Sequence, residues 1–511
     1  MDSGSMNSIG RTGVIAATVL GAISVAAAQT APYQSSHRGR IGSGLGQTEL
    51  RAGGLFEPRV EAAAQFVSNL NLAEEGESQI DTAGIEVAPG FYASYATRTA
   101  IGAIDYSIIG RYWEEDDIND VSHRLSANGQ WFAVPEWFSI RGEASYQDGV
   151  IDPRVGLNYG GIGVFAPGNL QEVGAASVTP VFRRRVQDFE MVAEYSYGRT
   201  WFLDQGRGQP VVGFVGDEDS TDQSANLAFG TAVPDSQVSA RVFYDWQRSE
   251  FETALPFEYE RVGIDAGYQL SRSLALIGDA GRESDLDSST TQGGLDSDFW
   301  STGLRWQPSD RTRVEARYGE RFFGNSYLFS ASHHARIVEF SASYREEPTV
   351  QTRNVSLGAF EPGQLPPSAP DTDFGTFTSS PYVAKDALAE VAVVGSRTRV
   401  SLSGFRYEMD YLSGIAASEV ASGVGLEATR QLASNLSATF EISYRDNAVL
   451  DAPLDPDPSG TTAYYDTELL VRLDRSSGAH FTLGGEAGYL TRSGTSDFDG
   501  WWVALRTTWT P

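Results

Sequence analysis

The chain has 511 residues, 41% of them hydrophobic and none of them cysteine, and its formal net charge is −29. The acidic balance argues against nucleic acid as a partner. The lack of cysteine excludes thiolate metal sites, covalent haem attachment, cysteine nucleophiles and lipoprotein anchors. Mean hydropathy is −0.27, and after the N-terminus no apolar run reaches the roughly 18 residues of a transmembrane helix.

The N-terminus has the pattern of a secretory signal. Arg11 supplies a positive charge, residues 13–25 are apolar, and Ala26-Ala27-Ala28 is a small-residue cleavage site. We therefore expect a signal peptide over residues 1–28, with a short membrane anchor as the alternative. Residues 29–57 are polar and rich in Gly and Ser, which predicts a flexible periplasmic segment.

Strict alternation of apolar and polar residues begins after residue 57 and is clearest in residues 138–147. One face carries apolar residues with Phe138 and Tyr146 at its ends, and the other carries Arg141 and Glu143. Period-2 alternation indicates an extended strand. A face with Arg and Glu is too polar for a protein core, so the pattern is typical of a membrane strand with lipid on one side and water on the other. Further copies are residues 238–247, 261–270, 436–445, 481–490 and 501–510.

Short turns alternate with long acidic loops along the chain. The predicted turns lie at residues 98–99, 134–136, 186–188, 234–236, 271–273, 308–310, 347–348, 395–397, 433–435 and 476–478. The predicted acidic loops are residues 114–120, 148–153, 216–222, 285–298, 363–373 and 451–460. In outer-membrane barrels, short turns face the periplasm and long loops face outside. Many arginines lie near the turns, for which the solubility of exposed segments is the simplest explanation.

These elements predict an all-β fold in which residues 58–511 form one transmembrane antiparallel β-barrel. The count is roughly 22 strands, within a range of about 18 to 24, and both ends lie on the periplasmic side. The least regular strand candidates are residues 58–68 and 350–357. The last strand has Trp501 and Trp509 on one face, so we expect the barrel assembly machinery and outer-membrane lipid as partners.

Several short motifs resemble one known group. They are Ala88-Pro89-Gly90 before the strand at 91–95, His123-Arg124-Leu125, Val150-Ile151-Asp152-Pro153, Tyr344-Arg345-Glu346-Glu347-Pro348-Thr349 and Arg399-Val400-Ser401-Leu402-Ser403. With these motifs, most of the mature chain is similar to the PEP-CTERM-system-associated outer-membrane proteins, found near exosortase and exopolysaccharide genes. The resemblance implies a Gram-negative outer-membrane barrel linked to polysaccharide or surface-protein export, and it brings no catalytic residues.

Motifs for catalysis or cofactor binding are missing. The pair His333-His334, placed at the outer end of a strand, is interpreted as part of an aromatic girdle or loop, since no partner lies at metal-ligand spacing. Residues 285–298 lack the EF-hand pattern, and neither H-E-x-x-H nor G-x-S-x-G occurs. We predict no catalytic residue, no metal and no cofactor. An outer-membrane protease or phospholipase with an unknown motif is the enzyme alternative.

Charged residues on the inward faces are the candidate functional residues. They are Arg141, Glu143, Glu190, Glu194, Arg241, Asp245, Asp265, Glu315 and Arg317. Opposed acidic and basic rings select solutes in a pore, whereas an arginine–carboxylate network can simply tie the wall together.

A barrel of this size either encloses water or is plugged. The sequence therefore predicts a channel or export conduit, associated with exopolysaccharide or surface-protein secretion. Loops at 149–176 and 359–381 would narrow the lumen if they fold inward. The alternative is a non-conducting structural or docking barrel of a surface-export assembly.

Overall fold

A computed structural model gives the fold. It describes residues 53–70, 73, 78–114, 120–150, 170–203, 219–231, 237–252, 256–285, 296–349, 382–412, 418–450, 463–478, 480–494 and 497–511. The predicted signal peptide and residues 29–52 lie outside these ranges, as does residue range 350–357, which the sequence offered as a strand. Within the described ranges, no helix is long and apolar enough to cross a membrane.

The described residues form a single 22-stranded sheet. Its strands are β1 (Gly53–Val67), β2 (Thr82–Ala96), β3 (Ala100–Trp113), β4 (Asp120–Val134), β5 (Phe138–Val150), β6 (Leu170–Val186), β7 (Phe189–Leu203), β8 (Ser220–Thr231), β9 (Val238–Phe251), β10 (Phe257–Ser271), β11 (Leu274–Asp285), β12 (Asp296–Ser309), β13 (Thr312–Arg321), β14 (Gly324–His334), β15 (Val338–Thr349), β16 (Tyr382–Val394), β17 (Thr398–Tyr411), β18 (Ser418–Ala433), β19 (Leu436–Leu450), β20 (Ala463–Ser477), β21 (Phe481–Gly494) and β22 (Phe498–Trp509).

The sheet closes on itself. Each strand pairs antiparallel with the next, and β1 pairs antiparallel with β22 through the register Val60↔Trp509 to Val67↔Trp502. Closure satisfies the backbone groups that an open edge would leave unpaired in lipid. The predicted transmembrane antiparallel barrel of about 22 strands is therefore confirmed, and we name its two ends periplasmic and extracellular from the short and long connections.

The outer face is apolar and strongly exposed. Large hydrophobic side chains such as Trp131, Val242, Leu304, Leu402 and Leu505 are all about half exposed. A water-soluble protein seldom leaves so much apolar surface open, whereas a bilayer covers it. Alternation along each strand then fixes the opposite face, with its Arg and Glu residues, as the wall of the lumen.

The apolar outer band is shorter on one side of the barrel. The odd-numbered strands run from the periplasmic to the extracellular end. Counted from the periplasmic end, the ninth residue is aromatic on β5, β7, β9, β19 and β21: Tyr146, Tyr197, Trp246, Tyr444 and Tyr489. On β11, β13, β15 and β17 the same position holds Arg282, Glu320, Glu346 and Arg406. Charge therefore begins one outward position earlier there, which shortens the band by about 7 Å along the strand.

Two prolines were wrongly taken as the limits of strands. β1 begins at Gly53 rather than Pro58, so residues 53–57 belong to the barrel and not to the flexible segment. Pro348 lies inside β15 and not in a turn. Each proline lies where its strand pairs on one side only, since β22 reaches no further than Val60 and β14 pairs no further than Tyr344. A missing N–H is tolerated on such an edge.

The turn that the sequence missed joins β14 to β15 at residues 335–337, where the Ala335 N–H donates to the Val338 carbonyl (2.7 Å). His333 and His334 therefore lie at the periplasmic end of β14, and their placement at the outer end was wrong. His333 Nδ1 and Thr312 Oγ1 share a hydrogen bond of 2.8 Å.

The strands also run beyond the predicted crossing length of about ten residues, from 10 in β13 to 17 in β6. Residues 170–176 of one predicted inward loop belong to β6, and residues 220–222 and 296–298 of two acidic loops belong to β8 and β12. Most other residues of the predicted loops lie outside the described ranges.

Candidate functional site on the inner wall

All nine candidate residues lie on the face opposite the exposed hydrophobic side chains. Several ion pairs on this face skip a strand, such as Arg59 (β1) with Asp105 (β3) and Arg317 (β13) with Asp279 (β11). Curvature brings side chains of alternate strands together only on the concave side of a barrel. These contacts therefore place the charged face inside.

On β5 to β7 the candidate charges make long, open ion pairs. Arg141 lies 3.7 Å from Glu194 across β6, and Glu190 lies 3.6 Å from Arg183. Glu143 makes no ion pair within 4.0 Å among the described residues. These contacts are loose and open to water, so they bind the wall only weakly.

On β9 and β10 the candidates form two crossed pairs. Arg241 contacts Asp265 at 3.1 Å, and Asp245 accepts from Arg261 at 3.0 Å. The Arg261 guanidinium also lies 5.0 Å from the centre of the Phe243 ring. Arg261 was not among the predicted residues, although it alternates with Asp265 on the same face.

Glu315 is the centre of the tightest group on this side. Its carboxylate contacts Arg317 at 2.8 Å and Arg305 at 2.9 Å, and Arg313 lies at 3.9 Å. Arg317 also contacts Asp279 at 3.1 Å. The structure thus gathers the two predicted residues of β13 with three that the sequence did not single out.

The inner wall near the closure contains charges that the sequence did not single out. On β20–β22, Glu486 is bound by Arg472 at 2.7 Å and Arg506 at 2.8 Å, and the Trp502 Nε1–H donates to it at 3.3 Å. Nearby, Arg492 contacts Asp466 at 2.7 Å and stacks 4.0 Å from the centre of the Tyr464 ring. Both groups are buried.

An inward apolar cluster keeps water away from these charges. It comprises Val67, Leu70, Trp113, Leu470, Leu490, Phe498 and Trp502. Two of its rings lie flat on glycines of the paired strand, because a Cβ at Gly84 would lie 2.5 Å from the Trp113 ring and one at Gly488 would lie 2.0 Å from the Trp502 ring. Each indole thus fills the space that a paired side chain would occupy.

The connection between β1 and β2 is fixed over the same cluster by one buried amide. Asn69 Nδ2 donates to the carbonyls of Asp499 (2.9 Å) and Ala73 (3.1 Å), and its Oδ1 accepts from the Ala73 N–H (2.8 Å). Its backbone adopts the left-handed region, with φ of 54°. Asn69, Leu70 and Ala73 are therefore held in buried positions at the extracellular end of the closure.

The two sides of the lumen differ in their exposure to water. We call the inner faces of β20–β22 and β1–β3 the seam wall, and those of β5–β17 the far wall. Arginine side chains of the seam wall are 1% to 16% exposed (Arg59, Arg111, Arg472, Arg492 and Arg506). Those of the periplasmic half of the far wall are 36% to 55% exposed (Arg141, Arg183, Arg241, Arg305, Arg313 and Arg399).

At the extracellular end of the far wall, Glu283 is the centre of a buried group of hydrogen bonds. Its carboxylate accepts from Arg321 (2.9 Å), from the Tyr259 hydroxyl (2.6 Å) and from the Phe322 N–H (2.7 Å). Glu283 was not among the predicted residues. Alternation continued from Asp279 would have placed it on the inner face.

No group of three or more His, Cys, Asp or Glu side chains suited to a metal ion occurs among the described residues.

No family model and no curated protein matches the chain. Among solved structures it is similar to the siderophore receptor PirA from Acinetobacter baumannii, with 9% identity, a TM-score of 0.49 and coverage of 90% of this chain and 81% of that one.

It is also similar to the ferric-catecholate import receptor Fiu from E. coli K12, with 8% identity, a TM-score of 0.48 and coverage of 89% and 81%. OmpT, an outer membrane protein of Vibrio cholerae, solved with loop L8 deleted, gives 10% identity, a TM-score of 0.32 and coverage of 89% and 100%. These values are too low to carry the role of any of the three proteins to this chain.

Proposed function

We propose that the protein is a channel or export conduit of the Gram-negative outer membrane that serves exopolysaccharide or surface-protein secretion. One observation carries the proposal: the periplasmic half of the far wall holds arginines that are a third to a half exposed. Charged side chains with that much free surface need water beside them. A β-barrel that has water along its inner wall can serve as a passage for solutes.

The link to secretion rests on the resemblance to the PEP-CTERM-associated outer-membrane proteins. The proposal includes no catalytic step and no cofactor, and its partners are outer-membrane lipid, the barrel assembly machinery and export components. Deleting the gene in the source bacterium should leave exopolysaccharide or the exported surface protein inside the cell envelope. Normal secretion in the deletion strain would refute this link.

A non-conducting structural or docking barrel is the second candidate. The seam wall favours it, because the inward apolar cluster and the buried Asn69 beside it lie on the lumen side of the wall at the extracellular end. Planar-bilayer recording separates the two functions. Stable conductance steps from the purified full chain support the channel, and their absence at full incorporation supports the docking barrel.

A further inference from the structure

Four consecutive periplasmic turns, from β10–β11 to β16–β17, each present one exposed arginine. We call this set the arginine arc: Arg272, Arg311, Arg336 and Arg397. Within the described residues, none of the four makes an ion pair within 4.0 Å, whereas most strand arginines of the far wall are paired. Asp310 is the one carboxylate in these turns. The arc therefore holds free positive charge in a protein whose net charge is −29.

Among the described periplasmic turns, exposed arginines occur in consecutive turns only in the arc. Outside it, the β2–β3 turn carries Arg98, the β4–β5 and β6–β7 turns carry Glu136 and Asp188, and the β18–β19 turn carries Ser434 and Asn435. General solubility would place charge in all turns alike, so it does not explain four arginines in a row.

On the inner face behind the arc, Arg305, Arg313 and Arg399 are each between 36% and 43% exposed, and each lies beside a carboxylate, so the unpaired charge is that of the arc itself. At the other end of the barrel, described carboxylates such as Glu114, Glu252 and Asp298 are exposed. An anion is thus attracted at the periplasmic mouth and repelled at the extracellular one.

We propose that the arginine arc is the periplasmic entry site for an anionic polymer, namely a polysaccharide that carries carboxylates. This assignment rests on the proposed conduit function. Guanidinium groups bind carboxylates in a bidentate manner. Successive turns lie two strands apart, about 10 Å in the wall, so a flexible polyanion contacts several arginines at once and gains affinity from each linked contact.

Fluorescence anisotropy with labelled oligogalacturonates tests the assignment. The full barrel, in zwitterionic nanodiscs, should bind them with an affinity that rises with oligomer length and falls as salt is added. Neutral dextran of matched size should not bind. Equal binding of dextran, or an affinity independent of oligomer length, would overturn the assignment.

Matched variants locate the site. Removing the arc by R272Q, R311Q, R336Q and R397Q together should weaken binding of the longest oligomer at least about tenfold (about 1.4 kcal/mol). Removing the same charge from the rim outside the arc, by R98Q, R185Q, R430Q and R475Q, should change binding less than about threefold. Equal losses in the two variants would show that only net charge matters and would overturn the assignment.

Conductance separates this inference from the function on which it rests. In a channel that conducts, oligogalacturonate added on the periplasmic side should block the current, and the arc variant should abolish the block while keeping the open conductance. Conductance with no arc-dependent block overturns the entry site alone. Arc-dependent binding to a barrel that never conducts overturns the conduit and, with it, the role in entry.

Discussion

The seam wall and the far wall are built from the same alternating sequence pattern and differ in how much water reaches them. Arg506 on β22 and Arg241 on β9 each lie three residues from the periplasmic end of their strand. The side chain of Arg506 is 14% exposed and that of Arg241 is 55% exposed. Depth along the strand therefore does not decide exposure.

The side chains beside each inward arginine decide how exposed it is. Around the closure, Trp113, Trp502, Phe498 and their apolar partners point inward and cover the adjacent charges. On β5–β9 the inward positions are mostly small or polar, as at Ser139, Ser177 and Ser239, and the arginines remain open. Alternation thus tells which side chains face the lumen, while the size of their inward neighbours tells whether that part of the lumen is dry.

The largest effect should follow from Glu486→Ala on the seam wall. This change leaves Arg472 and Arg506 buried without their shared carboxylate, and uncompensated buried charge destabilises by about 3–5 kcal/mol. Urea unfolding of the barrel from lipid vesicles, followed by tryptophan fluorescence, measures the loss. The matched control is Glu194→Ala, whose partner Arg141 lies 3.7 Å away and is open to water.

The control should lose less than about 1 kcal/mol, because an exposed ion pair contributes little. Equal losses for Glu486→Ala and Glu194→Ala would mean that the two walls do not differ in solvation. A loss confined to Glu194→Ala would reverse their order.

The second largest loss of stability should come from overpacking the seam wall at Gly488. In Gly488→Ala, the new Cβ would lie 2.0 Å from the Trp502 ring, so the indole must move and overpacking should destabilise by about 1–3 kcal/mol. Gly485→Ala on the same strand is the control, since its Cβ meets nothing within 4 Å. The same unfolding assay compares them, and a neutral Gly488→Ala would show that the indole is not tightly seated.

The sequence predicts the barrel well because alternation and turn residues are local. Phe138 to Gln147 shows both faces of its strand without any knowledge of its neighbours. Prediction from the sequence fails at Pro58 and Pro348, because a proline normally ends a strand. Only the unequal lengths of the neighbouring strands reveal that these two prolines lie on an unpaired edge.

The partners of the inner charges could not be predicted. Arg317 meets Asp279 across β12, at a sequence separation of 38 residues, and that contact depends on the register of two hairpins. The dryness of the seam wall depends in addition on closure, because β22 and β1 become neighbours only when the barrel is complete. Inward tryptophans opposite glycines in a hairpin, as in Gly84↔Trp113, are the one signal that the sequence held.

The loop over the seam wall gives a more local effect. Asn69→Ala removes three side-chain hydrogen bonds and places alanine in the left-handed region, so the loop should open more easily by about 1–3 kcal/mol. Hydrogen exchange of the amides at residues 69, 70 and 80 measures this opening. Asn69→Gly separates the two causes, since glycine accepts the backbone angle and loses only the hydrogen bonds. Unchanged hydrogen-exchange rates in both variants would show that the Asn69 side chain does not fix this connection.

The smallest effect on stability is expected for Arg241→Gln on the far wall, which should lose less than about 1 kcal/mol because its contact with Asp265 is exposed. The change should still be seen in the lumen, since it leaves Asp265 uncompensated and shifts the reversal potential of the channel toward cations. Arg506→Gln should do the opposite, with a clear loss of stability and an unchanged reversal potential, because that side chain is only 14% exposed and is paired with Glu486. A shift in selectivity from Arg506→Gln and none from Arg241→Gln would place the conducting path along the seam wall instead.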